Sequence, residues 1–177
     1  KTMTRVDDRI REDYKVLFFQ LDEIELVQLL NKIDEIEMEV DKNSFNMLAI
    51  RHRFFSKEIA ENIGDIISKR GLKYSVMLDM RIIDYLMGGG IKIHTDGYQI
   101  QDDVKSTHTF ILYFTDSDEE DGTTNYFTDM SGNDCWVTIT PKRGLIIIFS
   151  HNIPHSGSPV FTEKRLLRGD LFVSQLI

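Results

Sequence analysis

The sequence predicts an α+β protein with a mainly β core, a reading carried by three observations. Helical periodicity is confined to the first part of the chain: between residues 21 and 40 apolar side chains recur at three- and four-residue steps with acids between them. After Gly71 the texture changes to short apolar or alternating runs at residues 74–85, 91–94, 107–115, 136–139, 145–149 and 165–174. Between these runs lie turn-forming stretches, Gly88-Gly89-Gly90, the acidic residues 116–122, Ser131-Gly132-Asn133 and residues 141–144. Short strands at this spacing predict a sandwich or barrel.

Each element has its own signal. Residues 14–20 are β-branched and aromatic enough for a first strand. Residues 21–40 read as one amphipathic helix whose stripe is Leu21, Ile24, Leu26, Val27, Leu29, Leu30, Ile33 and Ile36. Ser56 opens a second helix as its N-cap, Ile59, Ile63, Ile66 and Ile67 form its buried stripe, and Gly71 closes it. Both helices are expected to support a sheet. Arg51, His52 and Arg53 read as a solvated basic face, and the carboxylates of residues 116–122 as a solvated loop.

Composition bounds the function. The chain has 177 residues, a length that fits one domain, with helical support over about residues 1–72 and a β core over about residues 73–177. No apolar run approaches the length of about 20 residues that crosses a bilayer, and no secretory pattern opens the given chain, so no membrane partner is expected. The start at Lys1 suggests that an upstream segment was trimmed. One cysteine, Cys135, cannot form an internal disulfide, which fits a reducing, cytoplasmic location. A net charge of −8 argues against nucleic acid as partner. Oligomeric state is not legible.

Chemistry enters with the histidines. In an extended strand residues i and i+2 share a face, so His94 and Asp96 can reach one ion. His-x-Asp alone is a weak signal. A second histidine beyond the apolar strand 145–149, either His151 or His155, would complete two imidazoles and one carboxylate. That set leaves half of an octahedral ion open, as in non-haem Fe(II) oxygenases. His52 and His108 have no such pattern around them.

Between about residues 81 and 172 the sequence resembles the prolyl 4-hydroxylase-like branch of the 2-oxoglutarate-dependent dioxygenases. Three blocks occur in order: Tyr85-Leu-Met-Gly88 leading to His94-Thr-Asp96; Phe110-Ile-Leu-Tyr113 followed by Asp121-Gly122-Thr-Thr-Asn-Tyr-Phe127; and His155-Ser-Gly157-Ser-Pro159-Val160 with a basic residue, Arg165, ten positions after the histidine. The resemblance implies a double-stranded β-helix, the jelly-roll or cupin-like fold, behind N-terminal helices. It implies Fe(II) held by His94, Asp96 and His155, with 2-oxoglutarate and O2 as co-substrates and ascorbate as an accessory reductant. His155 is preferred over His151 because only His155 is followed by Gly-x-Pro-Val. Arg165 is expected to clamp the far carboxylate of 2-oxoglutarate, with Arg168 and Lys164 as competing basic residues; Tyr113, Tyr85 and Thr109 would line the same pocket.

The implied reaction is hydroxylation of a C–H bond with release of succinate and CO2. A prolyl residue in a protein or peptide is the first substrate expected, although many prolyl 4-hydroxylases carry Lys where Arg165 stands. A free amino acid or small metabolite is the alternative substrate. Rival readings are a non-catalytic binding module on the same fold, a cupin-type enzyme without 2-oxoglutarate, and an interaction protein built on the helices. Residues 95–105 and 116–122 are expected to form the rim, and their acids Asp102, Asp103, Glu119 and Glu120 would suit a basic peptide or amine.

Overall fold

A computed structural model describes residues 16–41 and 48–174. In chain order the elements are β1 (Val16–Gln20), α1 (Glu23–Asp34), β2 (Glu39–Asp41), β3 (Ala49–Phe55), α2 (Lys57–Ser68), β4 (Tyr74–Tyr85), β5 (Ile91–His94), β6 (Ile100–Gln101), β7 (Val104–Lys105), β8 (His108–Tyr113), β9 (Thr124–Phe127), β10 (Cys135–Ile139), β11 (Leu145–Ser150), β12 (His155–Gly157) and β13 (Lys164–Val173). Residues 14 and 15, expected in the first strand, lie outside the described residues.

Seven strands form the larger sheet in the order β1, β11, β8, β13, β4, β3, β2, and four form the smaller sheet in the order β10, β9, β12, β5. All pairings are antiparallel. The two sheets face each other as the halves of a double-stranded β-helix and do not close into a barrel among the described residues. The pleat explains the packing. Leu17, Phe110, Leu112, Ile146, Ile148 and Leu167 point to one face of the large sheet, where α1 and α2 bury them. Their neighbours Val16, Phe18, Ile111, Tyr113, Ile147 and Leu166 point to the other face, against Tyr126, Val137 and Ile139 of the small sheet. A strand covered on both sides has no polar alternation, which is why residues 145–149 are continuously apolar.

Both helix starts follow side-chain capping. Asp22 and Glu25 form a capping box at α1, and the Ser56 hydroxyl accepts from the Ile59 amide at α2. The first helix is shorter than its periodicity predicts. It ends at Asp34, and residues 39–41 leave it to pair with β3. Glu39 then lies opposite Arg53 and Asp41 opposite Arg51, so cross-strand charge pairing overrides helical periodicity there. Residues 51–53, expected as a solvated face, are accordingly part of a sheet strand. Among the described residues no helix is long and apolar enough to cross a membrane.

Two ion pairs tie the helices together, an exposed one between Lys32 and Glu58 at 3.7 Å and a part-buried one between Arg70 and Glu25. Arg70 makes two hydrogen bonds of 2.7 Å to the Glu25 carboxylate, donates to the Ile66 carbonyl at 3.1 Å, and lies 4.8 Å over the Phe19 ring. Those Arg70 hydrogen bonds are the main reason the Glu25 pKa falls from 4.5 to about 2. Because the folded-state value is the lower one, the stabilisation is complete above pH 4.5 and is lost as pH falls toward 2. Glu25→Ala is expected to cost about 2–3 kcal/mol at neutral pH, since it strands a guanidinium. Glu25→Gln should flatten the acid limb of stability; melting temperatures of both proteins at pH 7 and pH 3 check this.

Candidate metal centre and co-substrate cavity

Antiparallel pairing of β5 with β12 sets His94 directly opposite His155. Their rings lie 4.2 Å apart, centroid to centroid. Close approach of the two segments depends on Gly90, where a Cβ would stand 2.7 Å from the Gly157 carbonyl oxygen. Each imidazole is anchored through Nδ1: His94 to the Lys92 carbonyl at 2.8 Å and His155 to the Ile153 carbonyl at 2.9 Å. A carbonyl only accepts, so Nδ1 carries a proton and Nε2 is the nitrogen left to face Asp96 or an ion.

Asp96 stands between the two free nitrogens. Its Oδ1 is 3.3 Å from His94 Nε2 and 3.5 Å from His155 Nε2. The ligand atoms of His94, Asp96 and His155 all lie within 4.8 Å of one another, the donor set and spacing that one ion needs. The second carboxylate oxygen is held from behind: Thr109 Oγ1 donates to Oδ2 at 2.7 Å, and Arg168 Nη2 is 3.5 Å away. Burial acts to raise the Asp96 pKa, but the His94 contact and the Arg168 charge outweigh it and hold the carboxyl well below the usual range.

Behind Thr109 a chain of hydrogen bonds runs in one direction. The Gln99 amide donates to Ser106 Oγ at 2.8 Å; Ser106 is 2.7 Å from His151 Nε2; His151 Nδ1 is 2.9 Å from Thr109 Oγ1. With the Thr109 proton on Asp96, His151 donates from Nδ1 and accepts at Nε2, which requires a neutral ring. Burial does favour that form, pushing the His151 pKa down to about 4. His151 thus has both ring nitrogens engaged and stands outside the group that could hold an ion. Through Thr109 it braces Asp96, and its carbonyl also accepts the Asp96 amide at 3.0 Å.

The triad opens into a cavity of about 300 Å³. Tyr85 and Thr109 line it as expected, although the Thr109 hydroxyl is committed to Asp96. Tyr113 is fully buried behind the wall, with its hydroxyl bonded to Thr124, which does line the cavity. Arg165 does not reach it. Its side chain is 46% exposed, 3.7 Å from Asp84, on the outward face of β13. The inward residues of that strand are Lys164, Leu166 and Arg168. Lys164 is only 3% exposed, with Nζ 4.8 Å from the Tyr85 ring centroid and 5.8 Å from that of Tyr113. Ten-residue spacing thus points to a residue that does not line the cavity, because Leu166 and Leu167 are both buried and hide the parity of the strand. Arg51, read from sequence as part of a solvated face, also lines the cavity, as do Arg81 and Thr124, which were not singled out from sequence. Of the expected rim, Thr95, Asp96 and Gly97 line the cavity, whereas Asp102, Asp103, Glu119 and Glu120 do not: Asp102 and Asp103 lie in the β6–β7 turn, and in the second segment Asp121 is buried, accepting from the Phe161 amide and the Thr162 hydroxyl.

A sequence model of the 2OG-Fe(II) oxygenase superfamily matches residues 80–169. The chain belongs to that superfamily and is a 2-oxoglutarate-dependent oxygenase that uses Fe(II). No curated protein matches its sequence. Among solved structures it is similar to a viral collagen prolyl hydroxylase from Paramecium Bursaria Chlorella virus-1, with a TM-score of 0.57 and 20% identity, covering 93% of this chain and 97% of that one. HygX from Streptomyces hygroscopicus, solved with nickel, 2-oxoglutarate and hygromycin B, gives a TM-score of 0.64 at 9% identity over 94% of this chain and 85% of its own. A prolyl hydroxylase from Trichoplax adhaerens, in complex with a hypoxia inducible factor peptide fragment, gives 0.62 at 14% identity over 91% and 84%. At these identities the likeness is one of fold.

His151→Ala should weaken divalent metal binding by about 10–100-fold while leaving all three donors in the chain, as loss of an orienting partner usually does. Titration of Mn(II) against wild type and variant reads this directly. Equal affinities would mean that the Ser106–His151–Thr109 chain does not organise Asp96.

Proposed function

We propose that the protein hydroxylates a C–H bond in a peptide or small molecule, a prolyl residue being the first to test, and that Lys164 rather than Arg165 holds the far carboxylate of 2-oxoglutarate. One observation carries this reading: the His94, Asp96 and His155 triad and the buried Lys164 Nζ face the same cavity from different strands. When Fe(II), 2-oxoglutarate and O2 are bound, they supply the oxidative decarboxylation to succinate and CO2 that drives the hydroxylation. The two imidazoles and Asp96 hold the metal and leave part of its coordination open. Lys164 fixes the co-substrate, the Thr124 hydroxyl stands beside it, braced from behind the wall by Tyr113, and Ile83, Ile111 and Leu166 exclude water. A lysine in this role agrees with the prolyl 4-hydroxylase pattern, and two of the similar structures are prolyl hydroxylases.

Anaerobic loading with Fe(II) and 2-oxoglutarate, followed by oxygen, should release succinate, with prolyl peptides and free amino acids compared for stimulation. Absence of both 2-oxoglutarate binding and succinate would overturn the reading. Lys164→Met should weaken 2-oxoglutarate by about 30–100-fold, the effect of losing a charge-assisted contact in a buried site, whereas Arg165→Ala should stay within about twofold.

Burial also lowers the Lys164 pKa to about 8. The side chain is cationic below that value, so 2-oxoglutarate affinity should fall as pH rises past about 8, by up to tenfold per unit. Lys164→Arg should abolish this dependence. Binding isotherms between pH 7 and 9.5 check both statements.

A further inference from the structure

The large sheet carries a row of three guanidinium groups across neighbouring strands on its inward face. Arg53 on β3 pairs in register with Arg81 on β4, and Arg81 with Arg168 on β13. Like charges placed directly opposite one another destabilise a sheet, so such a row needs compensation. The outer members have it. Arg53 takes both oxygens of Asp79 at 2.9 and 2.7 Å, and Arg168 lies 3.5 Å from Asp96 Oδ2 and 3.8 Å from Asp170 Oδ2.

The middle member does not. Among the described residues Arg81 has no carboxylate within ion-pair distance, and its Nε is buried without a hydrogen-bond partner. Burial and then the Arg168 charge push its pKa down, as expected for a cation short of a counter-ion. Arg81 lines the same cavity as the metal triad, together with Arg51 and Arg168. Among the described residues the one acid in that lining is Asp96, already held by Thr109 and facing the two imidazoles. In a chain of net charge −8 the cavity is therefore a local well for anions.

The co-substrate does not account for this charge. Lys164 and Arg168 are four residues apart on β13, about 13 Å along the strand, and Arg168 is already paired with Asp96 and Asp170. Arg81 stands one strand further from the triad than Arg168. We infer that Arg81, supported by Arg51 and Arg168, binds an oxyanion of the substrate that is hydroxylated, a carboxylate or a phosphate, and so selects acidic substrates. This rests on the oxygenase reading above and replaces the basic peptide or amine expected from the acidic loops. A planar fork matches either oxyanion in two-pronged fashion.

The test uses the whole protein loaded with Mn(II) in place of Fe(II) and saturated with 2-oxoglutarate. Sodium acetate and inorganic phosphate are titrated in by calorimetry, with acetamide as the neutral control. One anion should bind saturably at one site while acetamide does not; acetate points to a carboxylate and phosphate to a phosphoryl group. Arg81→Gln should weaken that anion at least tenfold while 2-oxoglutarate affinity changes less than threefold. Arg81→Lys, which keeps the charge, should retain most of the binding and so separates loss of charge from misfolding. Three outcomes overturn the inference: no saturable anion site, displacement of 2-oxoglutarate by the anion, or a loss of 2-oxoglutarate in Arg81→Gln as large as the loss of anion. Should 2-oxoglutarate itself fail to bind the wild type, the oxygenase reading falls. The anion titration on the Mn(II)-loaded protein then still decides the arginine site.

Discussion

Register between β5 and β12 places two imidazoles face to face, and the remaining chemistry is arranged around that pairing. A slip of one residue would turn either histidine to the opposite side of the small sheet. Gly90 permits the close approach, and the Lys92 and Ile153 carbonyls fix the ring orientation. Asp96 lies just beyond the strand, where no ladder holds it. Its position is set by the His151 carbonyl on its amide and by Thr109 on its outer oxygen. Protein contacts thus fix the orientation of all three side chains.

Charge is the second constraint. Taking Lys164 out of water is costly, and the structure offsets this with the faces of Tyr85 and Tyr113 and with the Asp121 carboxylate. Asp121 is itself locked by the turn at Phe161 and Thr162. One acid of a segment that reads as solvated thus belongs to the interior, where it bears on the ammonium. The arginines are handled differently: two are neutralised by carboxylates, and the third is left facing the cavity.

How much of this the sequence reveals depends on the kind of signal. His94, Asp96 and His155 were legible because their order and the Gly-x-Pro-Val after His155 form a pattern independent of fold detail. Strands 74–85 and 91–94 were legible to the residue, since turns bracket them on both sides. β3 was hidden, because Ala-Ile-Arg-His-Arg-Phe-Phe mixes charged and apolar residues on both faces. Its arginines look solvated until the sheet places Arg51 on the cavity wall. β2 was hidden inside a helical period, and β12 was too short for any periodicity. Lys164 and Arg165 could not be told apart by spacing, as a strand buried on both sides gives no parity. Thr109 and His151 were noticed for other roles, and only three-dimensional contact shows that they brace Asp96.

The groups facing the cavity are divided between the two sheets. Both histidines come from the small sheet, while Lys164, Arg168, Arg81 and Arg51 come from three adjacent strands of the large one. The imidazoles and the arginine wall therefore rest on different sheets. Replacements along β3 or β4 would alter the Arg51 and Arg81 side of the cavity without touching the strands that carry the imidazoles, so that wall is free to drift in evolution while the opposite one stays fixed.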